Sequence, residues 1–249
     1  MSRIEVQIYE IQDCREAEAV IELGVDRIGS VILSEKDWKV PAIREAILIS
    51  RGTGVKHSLI PLFSTKQVLF QSIEYYRPDI IHFCDSFTDA NEHMKRCEAL
   101  VEIQIGARER FPETEIMRSI PVAAPYSGQG IPTVKIAKCL EAASDYFLID
   151  TSLGSEPVEG YIGITGRTCD WTVAAKLVEL SSIPVILAGG LSPENVYDGV
   201  MAVRPFGADS CTRTNAIDSN GRPVRFKKDY NRVKAFVQEA RRAEKDLFS

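Results

Sequence analysis

Histidine and cysteine are scarce: 3 and 6 in 249 residues, with no two cysteines close enough to form a CxxC. Zinc-ribbon and thioredoxin-type motifs are thereby excluded. Six thiols dispersed through this length do not make a disulfide scaffold, so reduced thiols in a cytoplasmic protein are expected. Positive charge is not in excess either. Lys+Arg number 30 against 35 Asp+Glu, a formal net charge of −5, which argues against nucleic acid or an anionic membrane as partner. No apolar run approaches the ~20 residues of a membrane span. The opening Met-Ser-Arg-Ile-Glu-Val-Gln has no apolar core segment, so no secretory leader is expected. Linkers and low-complexity stretches are missing too, which predicts a single domain over residues 1–249.

What the chain does have is alternation. Eight β-branched runs read as strands: Ile4–Tyr9, Arg27–Leu33, Val55–Leu62, Asp79–Cys84, Glu115–Val122, Tyr146–Asp150, Pro184–Ala188 and Ala208–Cys211. Helical spacing fills the intervals, as in Ala17, Val20, Ile21 and Leu23, with Asp13 as N-cap and Gly24 as stop. Ser64, Thr88, Asp170 and Pro193 mark further helix starts, and Asp229 to about Lys245 reads as the last helix. Strand–helix alternation implies parallel strands and right-handed crossovers. Eight units predict an α/β fold of the (β/α)₈ TIM-barrel type. The rival doubly wound sheet often carries a GxGxxG after its first strand, and Tyr9-Glu10-Ile11-Gln12-Asp13 has no glycine. His93 to Phe111 reads as a helix weakened by Gly106, and the glycine-bearing Thr151–Thr168 reads as a lid.

In such a barrel the loops after the strands form the active face. Gly189 and Gly190 follow the seventh strand, and Ser192-Pro193 reads as a helix opening whose N-terminus favours an anion. Cys211, Thr212, Arg213 and Thr214 leave the eighth strand and could serve the same phosphate with backbone N–H groups, two hydroxyls and the Arg213 guanidinium. The alternatives are a tight turn and a surface arginine. Asp150 ends the sixth strand, where a half-buried carboxyl suits a general acid, or merely caps a turn. Tyr9 shares a face with Gln7 on the first strand and would stand at the barrel mouth. As a base it is poor, because a free tyrosine titrates near about 10. Glu10 reads as a solvated loop charge. His82 and Cys84 share a face, but with no third ligand visible they read as packing; no metal and no cofactor are expected.

Together these residues resemble the phosphoribosylanthranilate isomerase family of tryptophan biosynthesis. The likeness rests on Leu148-Ile149-Asp150, on Gly163-Ile164-Thr165-Gly166-Arg167-Thr168-Cys169-Asp170-Trp171, and on Leu187-Ala188-Gly189-Gly190-Leu191-Ser192-Pro193-Glu194-Asn195-Val196. Ala17-Glu18-Ala19-Val20 and Gly24-Val25-Asp26-Arg27-Ile28-Gly29 add to it. The resemblance implies an Amadori rearrangement of an aminoaldose phosphate to an aminoketose phosphate. It implies Asp150 as acid, and Arg118, His82, Gly163, Thr165 and Gly166 around the substrate. A phosphorylated small molecule is the expected partner, with a homodimer left open. The departures fall at the chemistry. The family's Lys-Ile-Cys-Gly, whose cysteine is the base, is here Gln7-Ile8-Tyr9-Glu10. Its second loop glycine is Ile164, the glycine of its last phosphate loop is Arg213, and its arginine after strand two falls on Trp38 or Lys39. Tyr9 could be a base only if a cation such as Arg118 lowered its pKa. The alternative expectation is a barrel that binds a phosphorylated ligand, or acts on it differently, without this isomerase activity.

Overall fold

The computed structural model describes residues 3–87, 93–128 and 130–249. Eight parallel strands close into a barrel. They are β1 Glu5–Ile8, β2 Arg27–Ile32, β3 Lys56–Pro61, β4 Ile80–Phe83, β5 Glu115–Ala123, β6 Tyr146–Ser152, β7 Val185–Leu187 and β8 Gly207–Ser210. Closure is made by β1 against β8, which places Gln7 beside Asp209. Helices follow the strands: α1 Cys14–Glu22, α2 Pro41–Ser50, α3 Lys66–Tyr76, α4 His93–Arg110, α5 Thr133–Leu140, α6 Trp171–Leu180, α7 Val196–Val203 and α8 Tyr230–Leu247. The (β/α)₈ expectation holds, and all eight strand assignments overlap the observed strands. Among the described residues no helix is long and apolar enough to cross a membrane.

The local chemistry explains the boundaries. Asp13 accepts from the Glu16 N–H at the start of α1, and Asp170 and Asp229 cap α6 and α8 in the same way, each cap contributing about 1 kcal/mol. Aliphatic side chains on alternate strand positions, among them Ile8, Ile149 and Leu187, pack outward against helix residues such as Ala174, Val200 and Phe236. Tyr9, Ile80, Met117, Leu148, Ile186 and Ala188 fill the barrel interior instead.

Four expectations change. First, α4 runs unbroken through Gly106, whose missing side chain leaves room for Phe70: a Cβ there would lie 3.3 Å from the Phe70 ring. Second, α7 begins at Val196, not at Pro193, because Pro193–Asn195 form a turn first. Third, α3 is capped at Thr65, one residue after Ser64. Fourth, an antiparallel hairpin, β9 Asn215–Ile217 and β10 Pro223–Lys228, is inserted between β8 and α8. Thr88, expected to start a helix, lies outside the described residues.

Candidate active site

A cleft at the C-terminal end of the barrel is lined by residues including Tyr9, Glu10, His82, Cys84, Ser119, Asp150, Asp209 and Cys211. Val31, Ile60, Leu62, Leu148, Ile162 and Ile164 give it an aliphatic wall. A second, smaller cleft is lined by Thr165, Gly166, Gly189, Gly190, Ser210, Cys211, Thr212 and Arg213. Asp150, Ile164, Asp209 and Cys211 line both, so the two are lobes of one site.

The glycine-lined lobe is built by close backbone approach. Gly189 and Gly190 both have positive φ, 75° and 62°. A Cβ on Gly190 would fall 2.5 Å from the Arg167 carbonyl carbon, and one on Gly189 2.4 Å from Thr151 Oγ1. The pair therefore lets the β6–α6 loop lie against the end of β7. Arg213 Nε donates to the Gly166 carbonyl at 2.9 Å, tying the loops after β6 and β8 together. The sequence-predicted Gly189, Gly190, Cys211, Thr212, Arg213, Thr165 and Gly166 thus meet around one lobe.

Asp150 stands where the lobes join. Its Oδ1 accepts from the Thr151 N–H at 2.7 Å. A Cβ on Gly163 would lie 2.2 Å from Oδ2, so only glycine, here with φ 103°, fits against this carboxyl. Burial pushes Asp150 up to about 7, against one backbone hydrogen bond that opposes it. The carboxyl can therefore hold a proton near neutrality. The expected lid is pinned rather than free: Ile162 N–H donates to the Cys84 carbonyl, Ser86 N–H to the Gly160 carbonyl, and Thr151 Oγ1 to the Arg167 carbonyl.

The β1 side departs from expectation. Tyr9 Oη lies 2.6 Å from Ser58 Oγ and 2.6 Å from His82 Nδ1, and His82 Nε2 lies 2.8 Å from Ser119 Oγ. Burial pushes the Tyr9 phenol well above its ordinary value and holds His82 near 3, so both are neutral. Arg118 does not activate Tyr9. Its fully buried guanidinium donates to the Asp85 carboxylate at 2.9 Å and to the Asp85 carbonyl at 3.0 Å, and it does not line either lobe. Facing away from the interior on β5, it braces the residue that bridges to Tyr161. Trp38 and Lys39 also lie off the site: Trp38 packs edge-on against Tyr75, with the Lys39 ammonium 5.0 Å above the Trp38 ring.

Glu10 is no solvated charge. It is 1% exposed, has φ 66°, and accepts from Arg225 Nε at 2.7 Å and Asn215 Nδ2 at 3.0 Å. Burial opposes its charge, but Asn215, Arg225 and Lys228 outweigh that and lower its pKa. Lys228 also donates to the Cys211 carbonyl, so the inserted hairpin is clamped to both β1 and β8.

Sequence reasoning missed Asp209. It is 5% exposed on β8 and accepts from Gln7 Nε2 at 3.1 Å, while Oδ2 has no protein partner among the described residues. Burial pushes it up to about 8, opposed by Gln7 and reinforced by the Asp150 charge. The available signal was its place: a carboxylate near the C-terminal end of a barrel strand, as for Asp150.

A profile of the N-(5'phosphoribosyl)anthranilate (PRA) isomerase family matches residues 96–239. The chain belongs to this family. It is 28% identical over 232 residues to the N-(5'-phosphoribosyl)anthranilate isomerase of Methanothrix thermoacetophila, covering 92% of this chain and 98% of the relative. The solved N-(5'-phosphoribosyl)anthranilate isomerase of Pyrococcus furiosus superimposes with a TM-score of 0.67 at 21% identity, over 96% of this chain and 100% of that one. A phosphoribosyl anthranilate isomerase in complex with reduced 1-(o-carboxyphenylamino)-1-deoxyribulose 5-phosphate superimposes with a TM-score of 0.65 at 17% identity, over 96% and 98%. At these identities the two structures speak for the fold. The family motifs in the matched segment coincide with the glycine-lined lobe and Asp150, whereas Tyr9, Glu10 and His82 precede it.

Proposed function

We propose that this chain carries out the family's isomerisation, converting N-(5'-phosphoribosyl)anthranilate to the aminoketose phosphate in tryptophan biosynthesis, in the cytoplasm. The observation that carries the reading is Asp150, with its pKa raised to about 7, at the junction of an aliphatic lobe and a glycine-lined lobe. The phosphate belongs in the second lobe, against the backbone of Gly189, Gly190 and Cys211–Thr212 and the charge of Arg213. The aryl group belongs against Val31, Ile60, Leu62 and Ile162. That pose sets the sugar ring at Asp150, whose proton goes to the ring oxygen as the C1–O bond breaks and the nitrogen lone pair forms the iminium. His82, neutral and held at both ring nitrogens, shapes the floor rather than supplying charge.

The test is growth without tryptophan of a strain lacking this isomerase, together with turnover by the purified protein. Growth and turnover support the reading. Binding of inorganic phosphate with neither growth nor turnover would replace it with that of a non-catalytic barrel.

A further inference from the structure

The isomerisation needs a base at C2 as well as an acid at the ring oxygen, and β1 does not supply one. Tyr9 is the side chain at the expected place. Its hydroxyl is engaged by Ser58 and His82, with no cation paired to it among the described residues. Glu10 is ionised but consumed by Arg225 and Asn215. Cys84 and Cys211 line the site as thiols whose ionisation burial opposes strongly. That leaves a second carboxylate that lines both lobes, as Asp150 does.

We propose that Asp209 is the proton acceptor, taking the C2 proton across the cavity from Asp150; this rests on the function proposed above. Gln7 fixes it. The two residues are register partners across the β1–β8 closure, and the Gln7 amide donates to Oδ1, leaving Oδ2 for the substrate. After Asp150 has opened the ring, Asp209 removes the C2 proton. The C–H electron pair becomes the C1–C2 double bond, and the iminium π pair returns to nitrogen. The resulting enolamine then ketonises: C1 receives the proton held by Asp209, and the C2 hydroxyl proton returns to Asp150. Both carboxyls regain their starting state, and no other reactant is consumed.

The charge arrangement suits a shared proton. Asp150, Lys228, Tyr9 and Cys211 are the titratable groups that face Asp209, and of these Asp150 carries the like charge. On top of burial, the Asp150 charge raises Asp209, and the Glu156 charge raises Asp150, so between their two titrations the buried carboxyls hold one proton and titrate as a unit; the productive state is the one with that proton on Asp150. Activity should therefore peak between about 7 and 8, falling on the acid side as both protonate and on the alkaline side as both ionise.

The decisive comparison is Asp209→Asn against Tyr9→Phe in the full chain. Asp209→Asn should lower kcat by about 10²–10⁴-fold with KM within about threefold, and should remove the acid limb of the pH profile. Asp209→Glu should recover part of the loss. Tyr9→Phe should cost less than about tenfold. Folding of each variant is checked by its binding of the reduced deoxyribulose phosphate analogue. Full kcat in a folded Asp209→Asn protein, or a larger loss in Tyr9→Phe than in Asp209→Asn, overturns the assignment while the isomerase reading stands. A parent protein without turnover fails that reading and this assignment together.

Discussion

The two halves of the barrel solve the same backbone problem with different residues. In the half that matches the family profile, Gly163, Gly166, Gly189 and Gly190 hold positive φ at the site, and their missing side chains admit Asp150, Thr151 and the Arg167 backbone. Just after β1, outside that match, Glu10 adopts φ 66° without being glycine, and it is held there by Arg225 and Asn215. Left-handed backbone at a bulky residue is costly and persists where surrounding contacts over-determine it. The contrast shows that the shape of the site is kept by bonding when it is not kept by composition. One half holds the glycine-lined lobe and Asp150; the other presents Tyr9 in a hydrogen-bonded floor with Ser58 and His82.

The most severe break on the profile-matched side is Asp150→Asn. It should reduce kcat by about 10²–10⁴-fold while binding of inorganic phosphate, measured by calorimetry, stays within about twofold, because the carboxyl sits at the reacting end and not at the anchor. Next is Gly190→Ala, whose Cβ meets backbone that cannot yield. A loss of more than about 2 kcal/mol in chemical denaturation is expected, together with weakened phosphate binding.

Acidity is a property of the matched half alone in this comparison, since both raised carboxyls lie in it. Asp150 and Asp209 have pKa values raised to about 7 and about 8 in the fold, above the ~3.9 of an unfolded aspartate. The folded state binds the proton more tightly, so the stabilisation is complete below about pH 4 and is lost as pH rises through 7 to 8. Asp209→Asn should therefore raise the melting temperature by roughly 3 °C or more at pH 8 and give no gain near pH 4. The smallest effect is expected at Ile164, a β-branched residue that carries φ 62°. Ile164→Gly should stabilise the protein by about 1 kcal/mol as the strain is relieved, partly offset by the freer unfolded chain.

The barrel was legible because β1 to β7 carry β-branched residues and the helices between them spaced apolar stripes, with Asp13, Asp170 and Asp229 marking true caps; β8, Gly-Ala-Asp-Ser, was placed by its position in the repeat. The β9–β10 hairpin was not. Pro223–Lys228 has a proline and three basic residues and is largely half-exposed, so it lacks the alternation that betrays a strand. Gly106 was misleading because a packing reason, the Phe70 ring, mimics a helix-breaking one. At the site, Asp150 and the glycines were readable from position in the repeat. The Arg118–Asp85 and Glu10–Arg225 pairs join residues 33 and 215 positions apart, and nothing local in the sequence says which cation finds which carboxylate.

The clamp between β1 and the inserted hairpin orders events during synthesis. Glu10 leaves the ribosome 205 and 215 positions ahead of its two side-chain partners, Asn215 and Arg225. Until they emerge, closing the barrel around Glu10 would bury an unpaired carboxylate, which is strongly unfavourable. The nascent chain therefore gains little by shutting β1 into place early. A ribosome stalled before residue 215 would carry a barrel whose mouth stays open on the β1 side, an exposed edge for chaperones and proteases to read.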